Sequence, residues 1–214
     1  MNIRLILGSV LLIMKNRKNA AIRKPEILEN YYQVIIEEGI EGASIGKVAK
    51  RMDCHPSLLI HYFKTKKNMT LELCDLLLEK YLASEHLDFS HISNLEDRFN
   101  ALIDTIFTES WSKTVDPGVH FCFYYLSFRN PDIKERFNKI FKRFRDYLSG
   151  EMEIYKRAGI INVEDLDLAI DTIITLMEGL EFHSKFLANG NPFEEFAEHS
   201  KRQVLALLKG TTVN

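Results

Sequence analysis

The chain has 214 residues, 46% of them hydrophobic, enough to fill a core across one ordinary domain and a small second one; this excludes a disordered or fibrous chain. The net charge of −2 hides an asymmetry: Lys15 to Lys67 carries 11 Lys and Arg against 6 Asp and Glu, and the chain from Asn68 onward carries 16 against 24, so only the front quarter suits phosphates. Cys54, Cys74 and Cys122 form no CxxC pair, which excludes a zinc ribbon and a disulfide scaffold and fits a reducing cytoplasm.

The apolar run from Leu5 to Met14 falls short of the roughly 20 residues that span a bilayer. The basic segment after it lacks a small-x-small cleavage site, against an exported leader. Residues 1–22 are therefore expected to be an extension with a basic arm, in which Lys15, Arg17 and Lys18 are suited to phosphates, and Met14 is expected as the natural start. Five prolines and ten glycines punctuate long stretches of 3.6-residue apolar periodicity, which predicts an all-α fold of about nine helices.

The first helix is expected to open near Pro25 and close at Gly39, with Ile27, Tyr31, Val34 and Ile35 on one face. Ser44 caps a short second helix whose inward side is Ile45, Val48 and Ala49. Asp53 to His55 make a tight turn, and Pro56 takes the first position of a third helix anchored from behind by Leu59, Ile60 and Phe63. Thr65 caps a fourth helix running to Leu82. Further helices are expected over Leu95–Lys113, Val119–Phe128, Asp132–Ala158, Glu164–Ala188 and Phe193–Lys209, broken by VDPG, Asn130-Pro131, Gly159 and Asn189-Gly190.

Two short helices across a three- or four-residue turn, with a supporting helix on each side, form the tri-helical DNA-binding pattern. The run EEGIEGASIGKVAKRMDCHPSLLIHYFKTKKNM resembles the N-terminal domain of the TetR/AcrR family through Gly39, Ser44, Ile45, Val48-Ala49, Tyr62-Phe63 and Lys66. That resemblance covers Arg23 to Tyr81. Two positions depart from it: Asp53 stands where the family often has glycine, and Ile60 where a tyrosine frequently touches a phosphate.

The resemblance implies a helix-turn-helix domain over residues 23–66 and a helical effector-binding and dimerisation domain over residues 67–214. Helix three then enters the major groove, with His55, Ser57 and Leu58 meeting base edges and Pro56 among the DNA-binding residues of the same turn. Ser44 and Lys47 on helix two, His61 and Tyr62 at the end of helix three, and Lys66 with the helix-four N-terminus are expected to hold the sugar-phosphate backbone. The last two helices carry apolar residues on more than one side, and the resemblance implies that they pair with a second copy as a four-helix bundle. A homodimer would set its reading helices about 34–36 Å apart and meet a palindromic double-stranded operator.

Phe107, Trp111, Phe121, Tyr124, Tyr125 and Phe128, joined by Met177, either line a pocket for a small apolar or aromatic effector or fill the core. The expected function is a cytoplasmic regulator, in the usual family sense a repressor, released from its operator by that effector. No HExxH, Walker, GxSxG or GxGxxG motif is present, and Glu181 and His183, two apart, splay on a helix; no catalytic residue, metal or cofactor is expected. The alternatives are a helical enzyme, a lipid-binding domain or a protein-interaction adaptor without DNA binding.

Overall fold

The computed structural model describes residues 3–82, 87–190 and 192–211, with side chains described from residue 22 onward except at 78, 81 and 82. The helices are α1 (Ile3–Gly42), α2 (Ile45–Arg51), α3 (Pro56–Phe63), α4 (Lys66–Leu82), α5 (Leu95–Ile106), α6 (Glu109–Ser112), α7 (Pro117–Ser127), α8 (Pro131–Arg157), α9 (Leu166–Phe186) and α10 (Phe193–Lys209). No strand occurs among the described residues. None of these helices is long and apolar enough to cross a membrane.

Two compact units emerge from the packing. The first comprises Met1–Leu78 with Gly118–Lys134, and the second Glu79–Pro117 with Glu135–Asn214.

In the first unit α1 buries one helical face, with Ile27, Tyr31, Val34 and Ile35 at 4% exposure or less. Its start differs from expectation. Pro25 lies inside the helix, which extends back to Ile3, rather than at its first turn. Proline costs an interior helix one backbone donor, but its fixed φ is itself helical, so a helix can continue through it. The apolar run at Leu5 to Met14 and the proposed arm of Lys15, Arg17 and Lys18 lie outside the residues whose side chains are described.

The far end of α1 breaks where expected: Gly39 has φ 72° and ψ 168°, a backbone state open essentially to glycine alone. A last turn to Gly42 follows this kink. Tyr31 and Thr70 join α1 to α4 through a buried 2.8 Å hydroxyl pair, and Thr70 also donates to the Lys66 carbonyl at 2.9 Å. Burial pushes the Tyr31 phenol up to about 12. At the other end of this contact the Lys24 ammonium sits 2.7 Å from both Glu72 oxygens and 5.2 Å from the Phe63 ring centre.

The second unit packs α5, α8, α9 and α10 around Phe99, Leu102, Ile103, Leu148, Ile170, Ile173 and Val204, all fully buried. Glu151 is a charged residue buried beside this core. It is held by the Arg98 guanidinium, whose Nε donates to Oε2 at 2.9 Å, and by the Tyr155 hydroxyl at 2.7 Å. A buried carboxylate needs such partners, because an unpaired one would cost several kcal/mol. On the surface, Arg145 of α8 ties Asp167 and Asp171 of α9 at 2.9 and 2.7 Å.

The helix expected over Leu95–Lys113 is two helices. Thr108 explains the break: its hydroxyl donates to the Thr105 carbonyl and accepts from the Trp111 amide, diverting the backbone into a new cap before α6.

Candidate nucleic-acid interface

The site is built from α2, α3 and the start of α4, all in the first unit. Ser44, in extended backbone at φ −125°, accepts the Lys47 amide at 3.2 Å and so starts α2. Val48 and Ala49 turn inward at 0% and 1% exposure. The turn is made by Asp53 at φ 48°, so the residue standing in place of the family glycine adopts the left-handed state that aspartate tolerates. The Cys54 amide then bonds the Ala49 carbonyl at 2.9 Å and closes the corner.

His55 caps α3. Its Nδ1 accepts the Ser57 amide at 3.3 Å and lies 2.8 Å from Ser57 Oγ, with Pro56 in the first helical turn. Leu59 and Phe63 anchor the helix from behind, both buried. Ser57, Ile60, His61 and Lys64 lie on the exposed side, and Leu58 and Tyr62 are half-buried. The Tyr62 ring meets His61 edge-on at 5.3 Å.

Ile60 was expected in the core with Leu59 and Phe63, and it is not there: it is 48% exposed. An eight-residue helix presses only about one side inward, and Leu59 with Phe63, four apart, already define it. Ile60 instead shares the exposed side of Ser57, which it follows by three.

The cations are not idle on this surface. Lys47 makes a short ion pair with Glu38, and Arg51, which was not among the expected contacts, pairs with Glu37 at 2.8 Å. Lys66 donates from Nζ to the Ile40 carbonyl at 2.6 Å, fastening the end of α1 to the start of α4. Thr65 takes the Asn68 amide at 3.1 Å and Lys67 pairs with Asp132 at 3.0 Å. The structure thus brings Ser44, Lys47, His55, Pro56, Ser57, Leu58, His61, Tyr62 and Lys66 into one helix-turn-helix segment and its flank.

The aromatic candidates are distributed differently. Phe107, Trp111 and Met177 belong to the second unit; Phe121, Tyr124, Tyr125 and Phe128 belong to the first. Trp111 is buried and stacks on Phe144 at 5.8 Å, Phe107 is buried, and Met177 is half-buried. Tyr125 and Phe128 are 55% and 81% exposed. Glu181 and His183 do splay: the Ser112 hydroxyl of α6 donates to Glu181 Oε2, while the His183 ring lies 4.0 Å from Phe196 of α10. Among the described residues no group of three or more His, Cys, Asp or Glu is placed to hold a metal ion.

Residues 94–210, more than half of the chain, match the family model for the tetracycline repressor-like C-terminal domain. No curated protein sequence matches the chain. Among solved structures, a transcriptional regulator from Saccharomonospora viridis in complex with choline is similar at 17% identity, with a TM-score of 0.75 over 86% of this chain and 96% of that one. A TetR transcription regulator from Haloarcula marismortui is similar at 17% identity and a TM-score of 0.75, over 89% and 98% of the two chains. A transcriptional regulator from Rhodococcus sp. Rha1 is 21% identical, with a TM-score of 0.70 over 89% and 98%.

Proposed function

The chain belongs to the TetR/AcrR family of DNA-binding transcriptional regulators, and from that premise we propose that it acts as a homodimeric repressor that leaves a palindromic operator when a small molecule binds. The observation that carries the reading is the build of α3. Its inner side is locked by Leu59 and Phe63, and its N-terminal turn and outer side are presented outward next to cationic neighbours. That arrangement suits a helix laid in a major groove, with side chains at its start meeting base edges.

In this reading His55, Pro56, Ser57 and Leu58 read bases, while Ser44, Lys47, His61, Tyr62 and Lys66 hold the phosphate rails. Lys66 does so through the N-terminus of α4, which it fastens to Ile40. Dimerisation rests on α9 and α10. Leu168, Phe182 and Phe186 of α9 and Leu207 of α10 are exposed at 63%, 50%, 59% and 37%, and Phe182 and Phe186 rings lie 4.9 Å apart. Large apolar groups concentrated on one helix pair mark a surface that a second copy covers, and a two-fold pair matches an inverted repeat in DNA.

The effector part of the proposal draws on the buried aromatic groups Phe107 and Trp111 and the half-buried thioether of Met177, all in the second unit. Phe121, Tyr124, Tyr125 and Phe128, in the first unit, are the further aromatic candidates. The similar protein from Saccharomonospora viridis holds choline, so choline and small aromatic compounds are the first effectors to assay. The working mechanism is differential affinity: an effector that prefers a dimer conformation unsuited to successive major grooves lowers operator occupancy.

The test is a double substitution, Ser57→Ala with His61→Ala. Both side chains are exposed, so helicity and dimer mass should be unchanged while affinity for a selected operator falls at least tenfold in a gel-shift titration. Unchanged affinity would remove α3 as the reading helix.

A further inference from the structure

We propose that Ile60 is a specificity-determining residue that selects thymine through its 5-methyl group, so that each operator half-site carries a thymine facing it. The inference rests on the DNA-binding reading and deepens it by naming the base chemistry recognised.

Ile60 sits in the middle of α3 at 48% exposure, beside Leu59 and Phe63 at 0% and 1%. It follows Pro56 by four residues and Ser57 by three, and so shares their side of the helix. The polar groups at that end are partly engaged with each other. His55 Nδ1 takes the Ser57 amide at 3.3 Å and lies 2.8 Å from the Ser57 hydroxyl, which spends hydrogen-bonding capacity on the cap.

On the exposed side that it shares with Ser57, His61 and Lys64, Ile60 is the apolar side chain, and it presents its branched end outward. Isoleucine has neither donor nor acceptor, so it cannot make the phosphate contact for which a tyrosine hydroxyl serves at this place in the family pattern. It can only gain from apolar contact. Among the four bases, thymine alone shows a methyl group on its major-groove edge. A methyl shielded from water by a branched side chain is therefore the complement that turns this exposed isoleucine into a selective contact.

The test begins by selecting bound sequences from a randomised duplex pool with the full-length protein. Each thymine of the enriched half-site is then replaced in turn by deoxyuridine, which removes the methyl and leaves every hydrogen-bonding group. One position should lose about fourfold in affinity, the scale of one methyl-sized group withdrawn from contact. The same replacement should have no effect on Ile60→Ala or on Ile60→Gln, the latter keeping helix propensity. Leu58→Ala should retain the full sensitivity. If no thymine couples to Ile60, or the coupling follows Leu58 instead, the inference is overturned while the DNA-binding reading stands. If the pool yields no enriched sequence, the DNA-binding reading itself fails.

Discussion

At the scale of single residues, two cations of the helix-turn-helix, Lys47 and Arg51, are already occupied. Glu38 holds Lys47, and Glu37 accepts from Arg51 Nη1 at 2.8 and 2.9 Å with both oxygens. These pairs are solvent-exposed and contribute little to stability, on the order of 0–1 kcal/mol. Their consequence lies in binding: a phosphate must compete with a carboxylate for each cation and is repelled by it. Glu37→Gln with Glu38→Gln should therefore raise affinity for any duplex roughly three- to tenfold at low salt. It should also steepen the dependence of log K on log salt by up to about 0.9 per released cation. Gel-shift titrations at several salt concentrations decide this; an unchanged slope would mean that Lys47 and Arg51 do not meet phosphates. The basic excess of the front quarter was legible in the composition, but its pairing was not. Glu37 and Arg51 are fourteen residues apart, and only the angle between α1 and α2 brings them together.

At the scale of elements, the same contrast separates what periodicity encodes from what it does not. Ser44, Pro56 and Gly39 act where their local chemistry placed them, because a cap, a fixed φ and a positive φ are properties of one residue. The break between α5 and α6 escaped the apolar pattern, which continues unbroken through Phe107 and Trp111. The signal was a hydroxyl able to compete for backbone groups, at Thr108. Ile60 was misplaced for a related reason: a run of apolar residues in a short helix states that one side is buried but not which member is left out. Gly39 gives the element-scale prediction. A β-carbon there meets nothing within 4 Å, so any cost of Gly39→Ala comes from backbone strain at φ 72° alone. Urea unfolding should show a loss of about 1–3 kcal/mol, with helicity of the folded state retained. A loss below ~0.5 kcal/mol would mean that the kink relaxes freely and does not fix where α1 ends.

At the scale of the whole molecule, sequence reading found the helices but not their grouping. Residues 117–127 form a helix as their apolar content predicts, yet nothing local says that Gly118–Lys134 packs into one unit with the helix-turn-helix segment. Assembly is read more directly, because large apolar side chains left exposed along one side of a helix are visible at once. Leu168 and Phe182 on α9 are 63% and 50% exposed, whereas Ile170, Ile173 and Leu180 of the same helix are 6% or less. A helix so divided has one side committed to its own core and another open to a second copy. Leu168→Glu with Phe182→Glu would place two like charges on each face of the proposed two-fold interface, where burial without a partner costs several kcal/mol. Sedimentation should show a monomer with helicity preserved, since neither side chain supports the internal core. Operator affinity should fall far more for the inverted repeat than for an isolated half-site, because only the dimer engages two grooves at once. A variant that stays dimeric would move the interface away from α9, and a monomer that keeps full affinity for the repeat would separate dimerisation from DNA recognition.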